Sequence, residues 1–151
     1  MVIFRFLPFA GSLALLTACH EQTNQAAQVP TAHPPTGPQC YAYRTKTDTI
    51  RLTLQTTQPT VTGQLVYRYF EKDRNQGTIR GVMHGDTLLA DYTFQSEGTT
   101  SVRQVAFLRR DIGFIEGFGP VAERQGKTVF EQPHTLQFDA KYTLVPVACP
   151  N

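Results

Sequence analysis

Beyond residue 38 the chain alternates apolar and polar side chains with a period of two, in one run after another as far as residue 149. Successive side chains go to opposite faces only along a strand, so this pattern restricts the fold more than any other feature. Thr49 to Thr57 sets Ile50, Leu52 and Leu54 against Arg51, Thr53 and Gln55. Val61 to Phe70 puts Val61, Leu65, Tyr67 and Tyr69 on one face and Thr62, Gln64 and Arg68 on the other. Thr87 to Ser96 carries Leu88, Ala90, Tyr92 and Phe94 opposite Thr87, Asp91, Thr93 and Gln95. Ser101 to Arg109 is apolar on both sides, with Val105 and Phe107 against Ala106 and Leu108, and reads as covered on both faces.

The connections between these runs are short. His84-Gly85-Asp86-Thr87 has Gly first in a two-residue loop, which suits a type II′ turn whose twist matches the strands. Arg74-Asn75-Gln76-Gly77 and Ser96-Glu97-Gly98-Thr99 have the chemistry of slightly longer turns. Gly119-Pro120 followed by Val121 to Gln125 and then Gly126 predicts a short helix or 3₁₀ segment, the single departure from strand. Thr128 to Phe130, Leu136 to Phe138 and Tyr142 to Val147 complete the sheet. About seven to nine strands at this spacing mean a sandwich or a barrel, and local hairpins throughout favour an up-and-down antiparallel meander.

The first 18 residues are of another kind. Phe6 to Leu16 is an apolar run of 11 residues behind Arg5, about 16 Å as helix against a hydrocarbon core of about 30 Å. It is the core of a signal peptide and too short to span. Leu16-Thr17-Ala18-Cys19 resembles the lipobox of bacterial lipoproteins, in which a thiol is alkylated by diacylglycerol and cleavage follows the small residue before it. Cys19 supplies the sulfur and Ala18 the small side chain. His20 stands where a retention signal carries Asp, which points to the outer membrane. From residue 19 to residue 38 four prolines and mostly polar side chains leave nothing to bury, so this stretch reads as a disordered, Pro-rich tether. His20 and His33 read there as solvated spacers. Residues 39–151 form the folded domain.

With Cys19 lipidated, Cys40 and Cys149 remain, one at each edge of the domain. Export to an oxidising compartment makes a disulfide between them the simple expectation. A bond joining first strand to last favours closure, because closure brings those edges together and removes them. The expected fold is therefore all-β, a small closed or nearly closed barrel with at most one short helix.

Charge and motifs exclude several functions. Lys and Arg total 14 against 12 Asp and Glu, and loss of Arg5 with the leader leaves +1, which rules out a polyanion or nucleic-acid binder working by bulk charge. Neither Ser96 nor Ser101 lies in a nucleophile elbow. His84 and His134 have no partner at ligand spacing, and no P-loop, dinucleotide, EF-hand or zinc signature occurs. No metal and no cofactor is expected. The candidate polar site comprises Asp91, Glu97 and Arg103: if Arg103 shares the inward face with Val105 and Phe107, its burial requires an acidic partner, Glu97 or Asp91. Tyr67, Tyr92 and Phe94 are the candidate lining of a ligand cavity. Protruding loops at Glu71 to Gln76 or Gly113 to Pro120, with Phe114 and Phe118 exposed, would instead serve protein recognition.

Cys40, Asp48-Thr49, Val61-Thr62-Gly63, Gly85-Asp86-Thr87-Leu88, Asp91-Tyr92-Thr93-Phe94, Ser96-Glu97-Gly98, Ser101-Val102-Arg103 and Val105-Ala106-Phe107 together resemble a group of small bacterial envelope lipoproteins. That resemblance covers nearly the whole domain. It implies a cell-envelope lipoprotein and no catalytic activity, and it singles out Asp91, Glu97 and Arg103. The expected function is a lipid-anchored, non-catalytic module that binds a small molecule or an envelope protein. The alternatives are an inhibitor of a lysozyme or protease, and an enzyme using Asp91 or Glu97 as acid or base. Replacing Cys19 by Ala should abolish palmitate labelling and release the protein from the membrane fraction; labelling retained in Cys19→Ala would reject the anchor.

Overall fold

A computed structural model of the chain describes residues 37–150 apart from 58, 73, 97 and 112, so the leader, most of the tether, Cys19 and Glu97 lie outside the described residues. Ten strands follow one another: β1 (Gln39–Arg44), β2 (Thr49–Thr57), β3 (Thr60–Arg68), β4 (Asn75–His84), β5 (Thr87–Ser96), β6 (Thr99–Arg110), β7 (Gly113–Phe118), β8 (Val121–Arg124), β9 (Lys127–Phe130) and β10 (Gln137–Val147). A 3₁₀ turn, Pro133–Thr135, is the one helical element among the described residues. Strands β1 to β7 pair antiparallel with their sequence neighbours. Strand β10 then fits between β7 and β1, closing an eight-stranded antiparallel barrel. The hairpin β8–β9 lies outside the ring and joins its ladder at a single parallel bridge, Arg103 to Thr128.

Alternation decides which side chains fill the interior. Ile50, Leu52 and Leu54 of β2, Leu65 and Tyr67 of β3, Leu88, Ala90 and Tyr92 of β5, Val105 and Phe107 of β6, Phe114 of β7 and Leu144 of β10 form one buried cluster. An eight-stranded barrel is just wide enough for such side chains to fill. Strand β6 is buried on its other face too, as its sequence implies: Ala106 is wholly covered by Phe130 and Leu136, with Leu89 and Phe138 packed alongside. Phe130 arrives from β9 and Leu136 from the segment after the 3₁₀ turn. Gly85 adopts φ 61° at the first position of its two-residue loop, the conformation a type II′ turn requires there. At Gly63 a Cβ would fall on the Thr53 carbonyl oxygen, so only glycine lets β3 lie this close to β2.

Three local expectations are corrected. Val121 to Gln125 is not helical: Val121–Arg124 is a strand, and Gln125 and Gly126, with φ 53° and 73°, turn it back on β9. Tertiary pairing overrides the Pro and Gly signals that resemble helix ends. Asn75 and Gly77 are not in a turn but in β4, opposite Tyr67 and Leu65. Gly113–Phe118 is not a loop but a strand buried at every position except Phe118.

Cys40 and Cys149 are disulfide-bonded, with Cα atoms 5.2 Å apart across 109 residues. Cys40 also pairs with Val147 in the β1–β10 ladder, so the covalent link and the closing ladder lie together. On the chain-entropy model the loop is worth about 4–5 kcal/mol. The double variant Cys40→Ser/Cys149→Ser should lose about that much unfolding free energy in urea titration; a loss below about 1 kcal/mol would show that the ladder alone holds the seam.

Candidate functional site

Strand termini divide the barrel into two ends. Pro38, the β2–β3, β4–β5 and β6–β7 connections and Cys149 gather at one; the β1–β2, β3–β4 and β5–β6 connections gather at the other. Apolar side chains fill the first. Towards the second, the inward face turns polar and aromatic.

Arg103 is inward-facing because it shares the face of Val105 and Phe107 and pairs across the ladder with Tyr92. Its guanidinium carbon lies 5.1 Å from the Tyr67 ring centre and 5.6 Å from those of Tyr92 and Phe94. Tyr92 and Phe94 stack at 4.7 Å, and Tyr67 meets Tyr92 edge-on. Tyr67, Tyr92 and Phe94, the candidate cavity lining, come together around a cation the protein itself provides. Each ring face offers roughly 0.5–2 kcal/mol to the half-buried guanidinium, which offsets part of the cost of its partial removal from water.

The acidic group of this cluster is Glu116, on β7, and it was not among the candidates. It pairs with Phe107 across the β6–β7 ladder and is 4% exposed. The Tyr67 hydroxyl donates to Glu116 Oε1 at 2.5 Å. Burial raises the Glu116 carboxyl above the ordinary value of 4.5, against the opposing pull of the Tyr67 hydrogen bond and the Arg103 charge. Burial likewise pushes the Tyr92 phenol to about 12, and Tyr67 well above its ordinary value. Three buried polar atoms of the cluster have no protein partner: Glu116 Oε2, Arg103 Nε and Tyr92 Oη. A donor, a hydroxyl and a carboxyl oxygen are therefore left to be satisfied inside an apolar wall.

Asp91 and Arg103 lie on opposite faces of the wall. Asp91 points outward, where its Oδ2 meets Lys127 Nζ at 2.6 Å and ties β5 to the β8–β9 hairpin. The amide of Phe130 also donates to Gln104 Oε1 at 3.1 Å. That hairpin matters because the wall parts beneath it. Strand β6 pairs with β7 only from Ala106 to Arg110, and the remaining half of β6 has β9 as its neighbour at a single position. A cleft of about 190 Å³ opens there, lined by Arg103, Glu116, Phe118, Val121 and Phe130 among others. A second cleft of about 310 Å³, with Tyr43, Asp48, Tyr69, Phe118 and Tyr142 on its walls, lies at the polar end. Phe118 lines both, and Tyr69 stacks on Tyr67 at 5.9 Å, so aromatic rings run from the outer cleft to the buried cluster.

Glu116 was hidden by its setting. The glycines at 113, 117 and 119 resemble loop chemistry. The signal that marks it is Phe114-Glu116-Phe118, a lone charge on an otherwise apolar period-two face. Among the described residues no group of three or more His, Cys, Asp and Glu gathers to hold a metal. No protein-family model, curated protein or solved structure matches the chain.

A carboxyl with a raised folded pKa binds its proton more tightly in the folded state than in the unfolded chain. The stability this provides is complete below about 4.5 and fades as pH climbs through the raised folded value. Glu116→Gln keeps an oxygen for the Tyr67 hydroxyl and removes the titration. Melting temperature between about pH 4 and pH 8 should therefore fall less steeply for Glu116→Gln than for the parent protein; identical slopes would assign the pH dependence to other groups.

Proposed function

We propose that this protein is a lipid-anchored module of the cell envelope that binds a small polar molecule at the Arg103–Glu116–Tyr92 cluster. One observation carries the reading: three buried polar atoms of this cluster have no protein partner, and two of the residues that bear them, Arg103 and Glu116, line the cleft where the barrel wall parts. A ligand bearing both a hydrogen-bond acceptor and a donor satisfies Arg103 Nε, Tyr92 Oη and Glu116 Oε2 together, which removes a desolvation cost of about 1–3 kcal/mol for each atom. The β8–β9 hairpin, held by Lys127–Asp91 and by Gln104, supplies Val121, Thr128 and Phe130 to the wall of this cleft.

The anchor at Cys19 belongs to the same reading and rests on the leader and lipobox. A second reading, recognition of an envelope protein, is favoured by Phe70 and Phe118, 61% and 52% exposed near the polar end. Phe114, expected to be exposed with Phe118, is buried beside Tyr41 in the core.

The test is native mass spectrometry of protein extracted from its own membrane. The expected spectrum carries an additional small mass in the parent protein, and Arg103→Met and Glu116→Ala lose it while retaining the barrel's circular dichroism. Retention of the same mass in both variants would exclude the cluster as its site.

A further inference from the structure

Four arginines surround a groove on the outside of the barrel. Arg44, Arg51 and Arg68 project from the outer faces of β1, β2 and β3, and Arg74 reaches in from the segment before β4; together they border a space of about 410 Å³. The ladder dictates the crowding. Thr49 pairs with Arg44 on one side and Arg68 on the other, and Arg51 follows two residues along the same face. Like charges so placed on adjoining strands repel one another. The ion pairs among the described residues, Arg109–Asp86 and Lys127–Asp91, engage none of the four. The nearby carboxylate of Asp48 accepts the Phe70 amide and lines the cleft at the polar end instead. A net charge near zero excludes binding by bulk charge, but it permits this local concentration.

We propose that this groove binds a sugar carrying two phosphate esters. Guanidinium forks match phosphate oxygens in bidentate fashion, and four of them suit more than one phosphate. Thr49, Thr53, Gln64 and Gln76 line the same space with hydroxyl and amide groups suited to sugar hydroxyls. Its lining has no aromatic side chain, which single-stranded nucleic acid uses as a stacking platform. Val66 and Pro150 are its only apolar lining residues, too little for an acyl surface, and its concave shape does not fit a planar bilayer. Pro150, next to the disulfide at Cys149, borders the groove, so the bond that closes the barrel also fixes one wall of the groove. This site lies on the outer surface and is independent of the buried cluster.

Isothermal titration of the folded chain with glucose 1,6-bisphosphate at low salt tests the proposal, with glucose, pyrophosphate, a short oligothymidylate and phosphatidylglycerol vesicles as comparisons. The bisphosphate should bind, glucose should not, and pyrophosphate should bind at least about tenfold more weakly for want of hydroxyl contacts. Arg51→Gln and Arg68→Gln should each weaken the bisphosphate about tenfold, while Arg124→Gln, on β8 and outside the groove, should leave it unchanged. If a glutamine variant fails to fold, Arg68→Lys serves instead, keeping the charge but not the fork, and should still weaken binding. Undiminished affinity in the groove variants overturns the site. Equal binding of pyrophosphate, or tighter binding of the oligonucleotide or the vesicles, overturns sugar phosphate as the ligand class.

Discussion

Closure is the constraint on which everything else in this molecule depends. A sheet of β1 to β7 with β10 has two open edges until β10 pairs with β1; afterwards the ring has none, and inside and outside are fixed for every residue. A register slip of one residue in any wall strand would exchange the two faces and drive Arg51 or Arg68 into the interior. The Cys40–Cys149 bond stands where it most opposes the opening of that seam. Outside the ring, β8 has only β9 beside it, and this short exposed edge carries Glu123 and Arg124, charges that discourage pairing with another chain.

Once the faces are fixed, the position of charge follows from alternation. Arg103 and Glu116 are inside because their neighbours two residues away, Val105 and Phe114, are core residues. The fold tolerates them through the ring faces of Tyr67, Tyr92 and Phe94 and the Tyr67 hydroxyl rather than through a direct ion pair. A direct pair would have satisfied both groups internally. Their separation leaves polar atoms without protein partners where the β6–β7 ladder ends.

How much of this was legible in the sequence depends on whether a feature is local. The runs of β2, β3, β5 and β6 alternate within themselves, so their faces could be read directly, as could the Gly85 turn and the two-sided burial of β6. The disulfide followed from counting cysteines once Cys19 was assigned to the lipobox. Strand β7 was not legible, because its burial comes from β6 and β10 pairing around a glycine-rich stretch whose local chemistry resembles a loop. With β7 went Glu116, and Glu97 or Asp91 stood as the acidic partner of Arg103. Asp91, Arg103 and Glu116 lie on adjacent strands, but Asp91 and Arg103 differ in parity along the paired β5–β6 ladder, where Asp91 stands opposite Gln104. The arginine groove was not legible either: Arg44, Arg51, Arg68 and Arg74 are dispersed through the sequence and meet only when three strands align.

Strand β6 is covered on both faces from Val105 to Phe107, whereas β4 exposes every second residue to water. Around one circumference, then, the wall has a fixed side and a free side. Beyond Gln76, which borders the arginine groove, evolution can redecorate the outer surface of β4 with almost any polar side chain, yet at Ala106 even one added methyl group must displace Phe130 or Leu136. Sequence drift in this molecule should therefore be lopsided, with novelty accumulating on the outer face of β4 beyond the groove while the middle of the strand that carries Arg103 stays nearly still.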